Sequence, residues 1–329
     1  MKYSLVALLC LCSALLPTTN FATSSTTIEE VVALGKQPGP RLWRITHEDH
    51  ELWILGILSP LPQKMDWDTS AVEAVLADAA QFIEPPGVSM SVNPLKAAFV
   101  LPSLWRIERN PGNKKLKDLL PPELYARWLA LKEIYIGRDR GIEKKRPILA
   151  AYELYQSAIE HAGLTQQTGV YKSVRKAVQK NKVPVVTTGI TRRIKEPRKT
   201  IKKFKKSQIE DIACFEKTLA RIETDLAVME SRALAWAAGD VKTLRTLPYD
   251  DQNETCFDAV LTSSFATEMS NQLDLVDVQQ QLKQKWLHAA ETALRDHAVS
   301  FATLPIDELL QADGYVAELV ARGYQVRGG

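Results

Sequence analysis

A chain of 329 residues, 45% hydrophobic and 25% charged, has the balance of an ordinary soluble globular protein and enough apolar material for one large core or two small ones. Its formal net charge of +3 is too small to call for a nucleic-acid partner. The information lies in how charge and apolar residues are placed along the chain.

Lys2 precedes an apolar run from Leu5 to Leu16 and a small, polar stretch through Ser25. That order predicts a secretory signal peptide over residues 1–22, cleaved after Ala22, with export to the periplasm or beyond. A membrane-spanning helix needs about 20 apolar residues, so this run is too short and no transmembrane span is expected in the mature chain. Leu9 and Leu11 precede Cys10 and Cys12 where a lipoprotein signal would want a small residue. Cleavage removes only Lys2 among the charged residues, which leaves a mature charge of +2. Residues 23–40 read as a flexible lead and 41–329 as a single domain.

Arg41–Thr46 and Glu51–Leu58 are apolar or alternating runs around the polar His47-Glu48-Asp49-His50, the pattern of a β-hairpin. Asp68-Thr69-Ser70 offers N-caps for a helix carrying Val72, Val75, Leu76 and Ala79, and a short strand over Gln81–Glu84 stops at Pro85-Pro86. Strand, helix, strand opens an α/β layer. Pro94 to Gly163 reads as helix-rich, with Pro121-Pro122 at one helix start and a polar turn over Gly137–Gly141. Val170, Val174, Ala177 and Val178 then form a helical stripe, and Val183–Thr187 is expected as a buried strand. Ile212, Phe215, Leu219, Ile222, Leu226, Met229, Ala233 and Trp236 recur at three and four residues, an apolar seam for a long core helix that Gly239 is placed to end. Helices are expected over Thr255–Leu275 and Val278–Arg295, an inner strand over Phe301–Leu304, a helix over Gly314–Arg322 and a last strand over Tyr324–Val326. Together these predict an α/β fold, a mixed central sheet flanked by helices with a helix-rich middle insertion.

Two segments near opposite ends carry the candidate site. One is Leu52-Trp53-Ile54-Leu55-Gly56-Ile57-Leu58-Ser59; the other is Phe301-Ala302-Thr303-Leu304-Pro305-Ile306-Asp307-Glu308, followed by Asp313-Gly314-Tyr315 and Arg322-Gly323-Tyr324-Gln325-Val326. Together with Leu42-Trp43-Arg44 and Trp236-Ala237-Ala238-Gly239-Asp240, they resemble the TraB/GumN family, which includes the Tiki-type metalloproteases. The resemblance runs from Leu42 to Val326. It implies a strand and Gly-x-x-His in each segment, the two histidines being metal ligands assisted by acidic residues. Here Gly56 keeps the first glycine, but Ser59 stands at the first histidine position, Pro305 at the second glycine and Glu308 at the second histidine. Glu84 matches a family acid that closes a strand. Thr188-Gly189-Ile190 falls where a second acid belongs, and Ser263-Ser264-Phe265 where an Arg-Asn pair does.

A catalytic zinc takes three protein ligands and an open position for water. With both histidines missing, no metal and no cofactor are expected. The reading is a catalytically degenerate relative that binds an envelope protein, a peptide or an anionic lipid surface, and no nucleic acid. The alternative is a periplasmic, peptidase-like hydrolase rearranged around Ser59, Glu84 and Glu308. A serine nucleophile needs an adjacent base and an oxyanion hole. Ser59 is not in a Gly-x-Ser-x-Gly elbow, and Ser59-Pro60 more simply makes a turn. His47 and His50 are expected in solvent, and His161, His288 and His297 on helix surfaces.

A third reading comes from the basic run Arg192, Arg193, Lys195, Arg198, Lys199, Lys202, Lys203, Lys205 and Lys206, opposed only by Glu196. Such density attracts lipid headgroups or other polyanions; the lone aromatic, Phe204, gives little support for base stacking. The plainer expectation is a solvated segment. The mature chain keeps two cysteines, Cys214 and Cys256, expected to pair in an exported protein. The loop they would close corresponds to roughly 4 kcal/mol of stability; the alternative is two buried thiols.

Overall fold

The computed structural model describes residues 38–98, 108–166, 169–206, 211–248, 273 and 277–328. The expected signal peptide, most of the lead, the helix expected over Thr255–Leu275 except Leu273, Ser263-Ser264-Phe265 and Cys256 lie outside the described residues.

β1 (Leu42–His47) and β2 (His50–Ile57) form the expected antiparallel hairpin, closed where His47 faces His50. β3 (Leu61–Pro62) then leaves the hairpin. α1 (Ser70–Asp78) begins where the Asp68 carboxylate accepts from Ser70 N at 3.0 Å, and it buries Val72 and Leu76 before β4 (Phe82–Ile83). After Pro85-Pro86 come β5 (Val88–Val92) and α2 (Pro94–Ala98). The helical middle holds α3 (Pro122–Tyr135) and α4 (Pro147–His161), each opened by a proline whose missing N–H costs nothing in a first turn. β6 (Leu164–Thr165) returns to pair with β3. α5 (Gly169–Lys180), β7 (Val185–Val186), β8 (Ile190–Ile194) and α6 (Pro197–Lys206) follow.

α7 (Asp211–Ala237) is the long helix, about 40 Å at 1.5 Å per residue. α8 (Val241–Thr246), α9 (Val278–Asp296), β9 (Val299–Pro305), α10 (Ile306–Leu310), α11 (Tyr315–Ala321) and β10 (Gln325–Arg327) complete the described elements. The six-stranded sheet has the order β10-β1-β2-β9-β4-β7. β9 lies between β2 and β4 and is parallel to both, while β1 and β10 run antiparallel to their neighbours. A central parallel strand is covered on both faces, which is why Ser300 to Leu304 are all buried.

The apolar seam of α7 serves two cores. Phe215, Leu219, Ile222 and Met229 pack with α3 and α4, and Ala233 and Trp236 pack with the sheet. Ile212, the first residue of the seam, is 39% exposed because it precedes the helical core. Two expectations change. Val183–Thr187 is not a buried strand: only Val185–Val186 pair, and Val185 is 42% exposed because β7 is the last strand of the sheet. The basic run is solvent-exposed as expected at Arg193, Lys195, Arg198, Lys199 and Lys202, but it is built into β8 and α6 instead of lacking regular structure. No described helix is long and apolar enough to cross a membrane.

Candidate functional site

The parallel pairing of β2 with β9 sets Gly56 opposite Leu304 and Ile57 opposite Pro305, so the two end segments meet at one edge of the sheet. Carboxyl ends of parallel strands are where α/β proteins commonly place ligands. From there the two chains part. β9 runs straight into α10, whereas the chain after β2 passes through the exposed Ser59 and buried Pro60 toward β3 and its partner β6.

Gly56 is required for packing. A methyl group there would lie 2.5 Å from Ile306 Cδ1 and 2.8 Å from Leu309 Cδ1, so its bareness lets α10 sit against β2. Its carbonyl accepts a 2.7 Å hydrogen bond from Trp236 Nε1, a buried contact between residues 180 apart in sequence. Trp236 also meets Trp67 edge-on, with centroids 6.0 Å apart. Gly239, at φ +69°, ends α7, and Asp240 caps α8 by accepting from Thr243 N at 3.0 Å. Trp236-Ala237-Ala238-Gly239-Asp240 thus braces the first segment.

The candidate chemical residues have other commitments. Ser59 Oγ donates to the Gln166 carbonyl at 3.3 Å. The Glu84 carboxylate pairs with Arg175 Nη1 at 2.9 Å and accepts from Thr187 Oγ1 at 3.1 Å. Thr188 donates to the Glu84 backbone carbonyl at 2.8 Å from the place where the family's second acid would stand. Arg175 in turn lies over the Phe82 ring, 5.9 Å from its centroid. Burial, together with the charge of Glu84, raises the pKa of Tyr171. Glu308, half-buried on α10, sits by Tyr315, whose pKa is pushed well up, first by burial and then by the charges of Glu308 and Asp307. Gly314 admits no side chain: a Cβ would stand 2.1 Å from the Glu308 carbonyl oxygen.

No described histidine serves these groups. His50 opens β2 and Ser59 lies beyond its far end, and the strand alone spans about 23 Å at 3.3 Å per residue. His50 is half-buried rather than solvated, with Nδ1 2.8 Å from the Leu294 carbonyl, and His47 meets the Tyr324 ring edge-on. His161 meets Tyr135 in the same way at 5.5 Å. Among the described residues no group of three His, Cys, Asp or Glu side chains could hold a metal ion. A hydroxyl spent on backbone and a carboxylate spent on a guanidinium do not fit the metal that the Gly-x-x-His pattern would bind.

The sequence reading missed a cavity of about 330 Å³ beside the second segment, lined in part by Arg232, Arg245, Asp307 and Gln311. Arg232 is buried and pairs with Asp225 at 2.8 Å, and Arg221 reaches the same carboxylate at 3.3 Å. The signal for this trio was present on α7: Arg221, Asp225 and Arg232 are four and seven residues apart, so they share one side of the helix.

The fold and the paired strand ends define a mixed α/β protein whose candidate site lies at the carboxyl edge of its parallel strands. A family model described as the TraB/PrgY/gumN family matches residues 41–328, and the chain belongs to that family. No curated protein and no solved structure matches it.

Proposed function

We propose that this chain is an exported, catalytically degenerate member of its family that binds a partner in the cell envelope instead of hydrolysing a substrate. The observation that carries the reading is the ion pair between Glu84 and Arg175 at 2.9 Å. The one acid of the family pattern present here is engaged by a guanidinium, while serine and glutamate occupy the two histidine positions. The charged start and apolar run over residues 1–22 support export. In that setting Cys214, buried on α7, is proposed to pair with Cys256. A mature-chain mass under non-reducing conditions tests the pairing, and two alkylatable thiols would refute it.

The decisive experiment combines metal analysis of the purified protein with a peptidase screen, with and without added zinc or manganese. The reading expects metal well below one per chain and no turnover under either condition. One metal per chain, with turnover that Glu84→Ala abolishes, would overturn it and restore the hydrolase built around Ser59, Glu84 and Glu308.

A further inference from the structure

β5 and β8 form a two-stranded parallel ribbon separate from the main sheet, continuing past the carboxyl ends of β4 and β7. Side-chain hydrogen bonds anchor it and its flanks. Lys285 Nζ donates to the Gly189 carbonyl at 2.7 Å, Arg192 reaches Gln281 at 3.0 Å, and Lys96 Nζ donates to the Lys195 carbonyl at 2.9 Å. The last of these sets α2 beside the turn into α6.

Alternation splits the ribbon into two faces. Ser89, Ser91, Thr191 and Arg193 form a polar side, on which Ser89 and Thr191 share a 2.8 Å hydrogen bond. Val88, Met90, Val92, Ile190 and Ile194 share the other side with Arg192. Among the large hydrophobic residues left exposed, Val88 at 40%, Met90 at 54% and Leu95 at 76% fall within eight residues of chain. Leaving them in water gains nothing for folding, so their clustering points to a surface that covers them. Residues 85–98 and 188–202 together hold seven basic residues and one acid, Glu196, which Lys199 already pairs at 2.9 Å. Arg193, Lys195, Lys202 and Lys96 are exposed in the same two segments, Arg193 on the polar side of the ribbon. Exposed apolar side chains in segments that carry an excess of cations are complementary to a bilayer with anionic headgroups, which takes the apolar tips into its interface and pairs the cations.

We infer that the β5–β8 ribbon, with α2 and the start of α6, is a docking surface for an anionic lipid bilayer, inserting Met90 and Leu95 at the headgroup level. This deepens the envelope-binding reading by naming a surface and its ligand, yet it does not depend on the state of the ancestral site.

Vesicle co-sedimentation of the full chain tests it, with phosphatidylglycerol-rich and pure phosphatidylcholine vesicles and a soluble polyphosphate as a third arm. Binding is expected to the anionic vesicles alone and to weaken steeply with salt. Neutralising Arg193, Lys195 and Lys202 to Gln should weaken it about 100-fold, at roughly fivefold per cation at an anionic surface. Met90→Asp with Leu95→Asp should abolish it while leaving circular dichroism and thermal midpoint unchanged, since both side chains are exposed. The inference is overturned by failure to bind anionic vesicles, by equal binding to neutral ones, or by binding indifferent to either set of substitutions. Polyphosphate binding as tight as vesicle binding and insensitive to Leu95→Asp would overturn the bilayer in favour of a soluble polyanion. Because no arm measures turnover or metal, a failure here leaves the degenerate-site reading standing, and peptidase activity would leave this one standing.

Discussion

Gly56→Ala tests whether the glycine at the end of β2 serves packing. The added methyl meets Ile306 Cδ1 at 2.5 Å and Leu309 Cδ1 at 2.8 Å, both closer than real contacts allow, with Trp43 Cζ3 at 3.3 Å behind them. Overpacking of this kind costs about 1–3 kcal/mol. Replacing a strand glycine with alanine recovers roughly 0.5–1 kcal/mol of backbone entropy, so the expected net loss is about 0–2.5 kcal/mol. Urea denaturation should show a lower midpoint with an unchanged slope, and the thermal midpoint should fall by a few degrees. Ile306→Val removes the nearest clashing atom. In the double variant the two losses should couple favourably by about 0.5 kcal/mol or more, the scale seen for residues in contact. Strictly additive effects in the double variant would refute the packing argument. Gly314→Ala is the harsher contrast: its methyl meets the Glu308 carbonyl oxygen at 2.1 Å, and backbone cannot swing aside as a side-chain tip can.

Trp236→Phe removes the donor to the buried Gly56 carbonyl, and an orphaned buried acceptor costs about 1–3 kcal/mol beyond the lost ring area; denaturation at wild-type stability would show that the contact contributes nothing. Tyr315 has its pKa raised above the ordinary 10.0, first by burial and then by Glu308 and Asp307. Its neutral form is therefore favoured in the folded state, and the stability it contributes is full below pH 10 and lost as pH rises beyond it. Relative to Tyr315→Phe, the wild-type chain should lose about 1.4 kcal/mol per pH unit in that alkaline range, one proton's worth. Parallel pH profiles of the two proteins would contradict this.

Much of the fold follows from local rules. The hairpin is legible from polar His47–His50 between apolar runs, and α7 from its three-four spacing, because periodicity and turn chemistry act between residues close along the chain. Proline at the starts of α3 and α4 and the positive φ of Gly239 belong to the same class. The vacancy at the two histidine positions is likewise plain from residue identity. Val183–Thr187 misled because an apolar run has the same composition whether its strand is central or at an edge; only strand order decides.

Residue order by itself therefore determined the family, the local elements and the presence of Ser59 and Glu308 in the two end segments. The tertiary structure alone decided which distant groups meet: β9 inserted between β2 and β4, Arg175 on Glu84, Trp236 on the Gly56 carbonyl, and the β5–β8 ribbon standing off the sheet. The physical reason is range. Propensity and capping are settled within a few residues, whereas the ion pair of Arg175 with Glu84 and the buried hydrogen bond between Trp236 and Gly56, 180 residues apart, exist only once the whole core has packed and fixed their positions.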